Sequence, residues 1–276
     1  MDAMAWCRER LLVPGQALSA SLAFAPAADQ GPILAIRNVV AELHEAASAH
    51  SDPGLVAARL GWWRTALDGQ ADHPALSALS QSGAAARLPD CAFVGLLDGL
   101  AREQQGLRFE RYEEMWELCR ATGGQAALVE FRLHDVAPNA DCPALDLGAA
   151  AAALRIARDL VVDARAGRWL VPLDLQAQFQ VGRVDALAEQ VGPGWDGLVR
   201  TLVERALRSG EAAARRMPLP HRHLLIHWAV DRRLARALIS RPRAVLQRRL
   251  LPGHAGNVWT AWRTARRLER VSGQGG

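Results

Sequence analysis

Apolar residues recur at every third or fourth position through almost the whole chain, and this regularity restricts the fold more than any other feature. It runs through "PILAIRNVVAELHEAASAH" (32–50), "PGLVAARLGWWRTALDG" (53–69), "CAFVGLLDGLAREQQG" (91–106) and "YEEMWELCRATGGQAALVEFRL" (112–133). It continues in "LDLGAAAAALRIARDLVVDARAG" (145–167), "WDGLVRTLVERALRSGEAAARRM" (195–217), "HRHLLIHWAVDRRLARALIS" (221–240) and "NVWTAWRTARRLERV" (257–271). A period near 3.6 puts such side chains on one face of a helix. Alternating runs bounded by hairpin turns, which would mark strands, are lacking. Short Gly-, Pro- and Asp-containing connections such as "SDPG", "ADHP", "VAPNADCP", "VGPGW" and "LPGHAG" separate the segments. None has the length of a domain linker, and no repeat of solenoid length is present. The expectation is one all-α domain over 1–276, with an arginine-rich helical part at about 221–270.

Half of the 276 residues are hydrophobic, enough for a substantial core. Every one of the 33 basic residues is arginine, which fits a GC-rich genome, and the net charge of +4 is mild. Cys7, Cys91, Cys119 and Cys142 have no metal-ligand spacing and read as reduced thiols of a cytosolic protein. The N-terminal "MDAMAWCRERLLVPGQ" carries no leader pattern, and no window supplies the apolar run of a spanning helix.

Asp159 and Asp163 lie four residues apart in an otherwise apolar helical stretch. Like charges at that spacing share a helix face and repel, so a sequence selected for stability alone would avoid them. A divalent cation would favour the pair, because hard cations take carboxylate oxygens together with phosphates. The plainer alternative is a solvated face on which Arg155 and Arg158 balance the charge.

Other residues carry weaker signals. Trp62, Trp63, Trp116 and Trp228 read as core or cavity wall. His44 and His73 suggest no ligand array, and His221, His223 and His227 read as a solvated or partner-facing helix start. Between Arg232 and Arg270, eleven arginines face only Glu269, with Asp231 just before them. Such a tract is a solvated surface, an acidic-partner surface or an anionic-membrane surface, with Trp259 and Trp262 as interfacial anchors in the last case. No nucleic-acid signature accompanies it.

"RLGWWRTALDG" (59–69), "LLDGLAREQ" (96–104), "YEEMWELCRATGGQAALVEFRL" and "ARDLVVDARAGRWLVP" (157–172) follow one another as they do in the squalene/phytoene synthase family, which this chain resembles from about residue 20 to residue 180. The most specific element is R-D-x-x-x-D-x-x-x-G-R-x-x-x-P, carried by Arg158, Asp159, Asp163, Gly167, Arg168 and Pro172. The resemblance implies the all-α isoprenoid synthase fold, a helical bundle around a deep cavity. It also implies Mg2+ held at Asp159 and Asp163, and a prenyl diphosphate met by Arg168 and Arg158. Asp98 and Glu103 occupy the place of a further acidic, cavity-facing motif of the family, which implies a part in binding the diphosphate substrate, though a solvated face explains them equally well. In the family, a prenyl cation formed by ionisation condenses head to head with a second chain, which requires neutralised diphosphate and a dry cavity.

This chain departs from that pattern. The first acidic motif falls in "AELHEAAS" (41–48), where His44, Glu45 and Ser48 replace the aspartates and Ala41 an arginine, leaving Glu42 and Glu45 as a vestigial pair. In the second, Ala152 and Arg155 stand for Gln and Asn, Val162 for an acid and Leu170 for a tyrosine. The departures resemble the branch related to the mitochondrial complex I assembly factor of this family. Three functions compete. The protein is a degenerate member that binds an isoprenoid diphosphate or lipid-like ligand or assists assembly of another protein, an active Mg2+-dependent prenyl transferase, or a purely structural interaction protein. The location implied is cytoplasmic or peripheral to a bacterial inner membrane.

Overall fold

The computed structural model describes residues 2–48, 52–70, 72–104, 108–134, 142–188 and 191–273. Fifteen α-helices follow one another, with no strand among the described residues: α1 (Ala3–Leu11), α2 (Ala17–Ser21), α3 (Ala27–Ser48), α4 (Pro53–Thr65), α5 (Pro74–Gln81), α6 (Val94–Glu103), α7 (Tyr112–Cys119), α8 (Gln125–Phe131), α9 (Pro143–Arg165), α10 (Leu173–Phe179), α11 (Arg183–Leu187), α12 (Gly194–Arg216), α13 (Arg222–Ser240), α14 (Ala244–Gln247) and α15 (His254–Gly273).

The helix starts follow from local chemistry. The Asp2 carboxylate accepts from the Met4 N–H at 3.0 Å, and Asp52 caps α4 by accepting from the Gly54 N–H at 2.7 Å. Pro53, Pro74 and Pro143 occupy first-turn positions, where their missing N–H costs nothing.

Two large apolar cores result. One gathers Ile33, Ile36, Val39 and Leu43 of α3 with Val56, Leu60, Leu96, Leu97 and Leu100. The other surrounds α9 and joins Leu154, Leu160, Leu175, Trp195, Leu198, Leu202 and Leu238. Each fully buried leucine contributes about 1.5–3 kcal/mol. The inward face of α9 is rich in alanine, with Ala149, Ala150, Ala153, Ala157 and Ala164 buried, so neighbouring helices approach closely.

Between α7 and α8 the helix widens into a π-helical turn, Arg120–Gly124, against which α9 packs. A Cβ on Gly148 would stand 2.1 Å from the Gly123 carbonyl oxygen, so α9 can pass this turn only with glycine there. Widened turns of this kind often accompany functional sites.

Several expectations need correcting. His221, His223 and His227 turn inward, not to solvent: His221 stacks on Phe131, His223 engages Glu130 of α8, and His227, partly buried, lies against the Ser21 hydroxyl. Trp63 and Trp228 are buried and Trp116 packs partly buried against the core, whereas Trp62 is exposed on the outer side of α4. The arginine tract is also not one uniform face. Arg232 pairs with Glu211 at 2.8 Å and Arg243 with Asp196 at 2.9 Å, acids contributed by α12.

Candidate functional site

A cleft in two chambers runs along the seam between the cores. His44 of α3 and Arg155 of α9 line both chambers. The outer chamber, about 250 Å³, brings together Ser48, Glu103, Arg158, Asp159, Asp163, Arg168 and Arg249. The inner, about 170 Å³, is lined by Arg37, Gly123, Gly148, His227, Trp228 and Asp231 among others.

Asp163 and Arg168 meet because α9 ends in a Schellman turn. Gly167 adopts φ 86°, and the Arg168 N–H reaches back to the Asp163 carbonyl at 2.8 Å while the Gly167 N–H bonds the Ala164 carbonyl at 3.1 Å. The reversal carries the Arg168 guanidinium to the Asp163 carboxylate at 2.7 Å and to Glu103 at 3.4 Å. Burial pushes the Glu103 carboxyl above its ordinary range despite Arg168.

Asp159 is buried and doubly clamped. Arg158 donates to its two oxygens at 2.9 and 2.6 Å, and Arg249 does so at 2.8 and 2.6 Å. Burial pushes the Asp159 carboxyl up, but hydrogen bonds and charge from the two arginines outweigh it and hold the carboxyl below its usual range. Arg249 lies between α14 and α15, inside the tract that the sequence assigned to a surface. Nothing in its local spacing marks it as a site residue.

Arg155 differs from its neighbours. Its guanidinium faces the lumen shared by the two chambers and is open to solvent there, and no hydrogen bond or ion pair engages it among the described residues. Burial, Arg155 and Arg168 together push His44 down to about 4, so this imidazole is neutral at physiological pH.

The inner chamber is also polar. Arg37 donates to Glu130 at 2.7 Å, and Glu130 stands 2.6 Å from His223 Nδ1. The Ser21 hydroxyl lies 3.1 Å from ring nitrogens of both His223 and His227. Asp231 Oδ2 is buried without a hydrogen-bond partner, and burial pushes the carboxyl up to about 6.

Two groups of candidate residues stand elsewhere. Glu42 and Glu45 do not face Asp159 and Asp163. They turn toward α1, where Arg10 pairs with Glu42 at 2.8 Å and also with Glu45. The stripe of α3 that faces the cleft runs through Arg37, Val40, His44, Ala47 and Ser48 and contains no carboxylate. Asp98 is exposed and pairs with Arg64 at 2.7 Å, away from the cleft. This donor set does not fit the Mg2+ cluster that the resemblance implies. Guanidiniums take both oxygens of Asp159, α3 supplies no acid opposite, and no cluster of three metal-ligating side chains forms among the described residues.

This bundle, without strands among the described residues, has the all-α fold of isoprenoid synthases. The chain belongs to the squalene/phytoene synthase family, whose model, "Squalene/phytoene synthase", matches residues 15–255. The 15-cis-phytoene synthase of Enterobacter agglomerans is 31% identical over 155 residues, 54% of this chain and 52% of that protein. The chloroplastic phytoene synthase of Cucumis melo is 26% identical over 122 residues, 41% of this chain. The match spans only 29% of that plant protein's length. A dehydrosqualene synthase crystallised in complex with ligand superposes with a TM-score of 0.78 at 18% identity, covering 97% of both chains. The squalene synthase HpnC of Alicyclobacillus acidocaldarius gives 0.69 at 18% identity, over 87% of this chain and 94% of its own. At such identity these likenesses define the fold, the all-α isoprenoid synthase fold.

Proposed function

We propose that this protein is a catalytically degenerate member of the family, acting as one unit over 1–276, that binds an isoprenoid diphosphate or related lipid-like ligand in the cleft. One observation carries this reading: opposite Asp159 and Asp163, α3 presents His44, Ala47 and Ser48 in place of a second acidic face. Ionising a prenyl diphosphate requires the developing charge to be neutralised from both sides in a dry cavity. Here the acids of the outer chamber come from α9 and from Glu103 of α6, with none from α3 opposite Asp159, and the inner chamber, where a cation would need apolar walls, contains Arg37, His227 and Asp231.

The assembly-factor role fits the same degeneracy and would act through the outer helices. On α15, Trp259 and Trp262 are exposed with ring centroids 4.8 Å apart, beside the exposed Arg263, Arg266, Arg267 and Arg270. Aromatic rings beside arginines suit the headgroup region of an anionic bilayer, which supports a location peripheral to a bacterial inner membrane. No helix among the described residues is long and apolar enough to cross a membrane.

The deciding assay supplies Mg2+ with farnesyl or geranylgeranyl diphosphate and measures pyrophosphate. Release at or near background is expected. Robust turnover that disappears in Asp159→Asn would establish an active head-to-head prenyl transferase instead.

A further inference from the structure

In the outer chamber, guanidinium groups stand where a metal-bridged site would need open carboxylates. Among the described residues, the four guanidiniums of Arg155, Arg158, Arg168 and Arg249 outnumber the three carboxylates of Asp159, Asp163 and Glu103. Two of the arginines are anchored in parallel on Asp159 through Nε and one terminal nitrogen each, which leaves the other terminal nitrogen of each free of that pair. A guanidinium carries five N–H donors in a fixed fork, so a bond to one carboxylate positions the remainder for another anion. Arg155, with no acceptor of its own, faces the same lumen one helical turn before Asp159.

We propose that this cleft holds the phosphate or diphosphate group of its ligand directly, through Arg155, Arg158, Arg168 and Arg249, without a divalent metal. The proposal rests on the reading that the cleft binds a phosphorylated ligand and adds how it does so. Arginine forks match phosphate oxygens and form charge-assisted hydrogen bonds, so they supply both the charge and the geometry that metal ions otherwise provide. Asp159 then has the opposite role from a metal ligand. It orders Arg158 and Arg249 and partly cancels their charge, and so competes with the bound anion.

That reversal makes the test sharp. Titration calorimetry of the whole chain with inorganic pyrophosphate and with farnesyl thiodiphosphate is run in EDTA and again with Mg2+. Affinity in EDTA is expected to equal that with Mg2+ within about threefold, since threefold is under 1 kcal/mol. Arg155→Gln, which breaks no existing pair, should weaken binding in EDTA about tenfold or more, the worth of one charge-assisted hydrogen bond. Asp159→Asn should leave binding unchanged or tighten it, and thermal melting reports whether this variant is folded. Binding that appears only with Mg2+, or that is lost in a folded Asp159→Asn while Arg155→Gln binds normally, overturns the arginine site and leaves a phosphorylated ligand as the occupant. Absence of binding to either probe, with or without metal, overturns the proposed ligand class as well.

Discussion

Arg249 holds the carboxylate of Asp159 through two hydrogen bonds of 2.8 and 2.6 Å across ninety positions of sequence. The contact lines the outer chamber and joins the C-terminal part of the chain to α9. Its energetic worth follows from its exposure. Asp159 is buried but Arg249 is about half exposed, so solvent screens the pair.

Arg249→Met is therefore expected to lower stability by about 1 kcal/mol at neutral pH, a shift of roughly 2–4 °C in melting temperature. The folded-state pKa of Asp159 is depressed, so its stabilisation is present above the unfolded value and lost as pH falls through the folded one. The gap between variant and parent should accordingly hold down to about pH 4 and narrow below it, which melting curves from pH 7 down to about pH 2 would check.

Asp231 acts with the opposite sign. Its carboxyl titrates at about 6 in the folded protein against an ordinary value of 3.8, so folding binds a proton in between and stability falls as pH rises through that window. Asp231→Asn should be more stable than the parent above about pH 6, by on the order of 2 kcal/mol, with the gain gone below about pH 4. Equal stability of the two across the whole range would show that the carboxylate is solvated in the cleft.

His44 titrates at about 4 in the folded protein against an ordinary value of 6.5, so the unfolded chain binds the extra proton and stability rises with pH between these values. His44→Gln should remove that slope and be the more stable form in mild acid. Because His44 and Asp231 oppose each other in overlapping windows, the parent's own profile is expected to be shallow, and the two single variants separate the contributions.

Gly148→Ala tests the packing that makes the cleft. The new methyl would meet the Gly123 carbonyl oxygen 2.1 Å away, and this neighbour is backbone that cannot swing aside. Overpacking of this kind costs about 1–3 kcal/mol. The displaced π-helical turn should also disturb the inner chamber, so ligand binding, where present in the parent, should fall together with the denaturation midpoint.

Much of the architecture was legible in the chain because helical periodicity is a local property. The R-D-x-x-x-D-x-x-x-G-R spacing likewise brings Asp159, Asp163 and Arg168 together within two turns and one Schellman reversal, all set by neighbouring residues. Glu42 and Glu45 were placed by proximity to a motif. Successive residues on a helix turn by about 100°, however, and the stripe through His44 and Ser48 leaves both glutamates on the side facing Arg10. Arg249 and the buried pair of Glu130 and His223 could not be read in advance. Each depends on helices distant in sequence meeting in space, and nothing local distinguishes them from surface charges.

The link between Arg249 and Asp159 also has a consequence during synthesis. A chain leaving the ribosome completes α9 well before the segment carrying Arg249 emerges, so for that interval Asp159 has only Arg158 paired directly with it. Domains begin to fold from the N-terminus as they are made, and contacts of long sequence separation form late. The nascent bundle therefore passes through a stage in which its cleft is more acidic than in the finished protein. Its arginines come to outnumber its carboxylates only when the last helices dock and bring in Arg249.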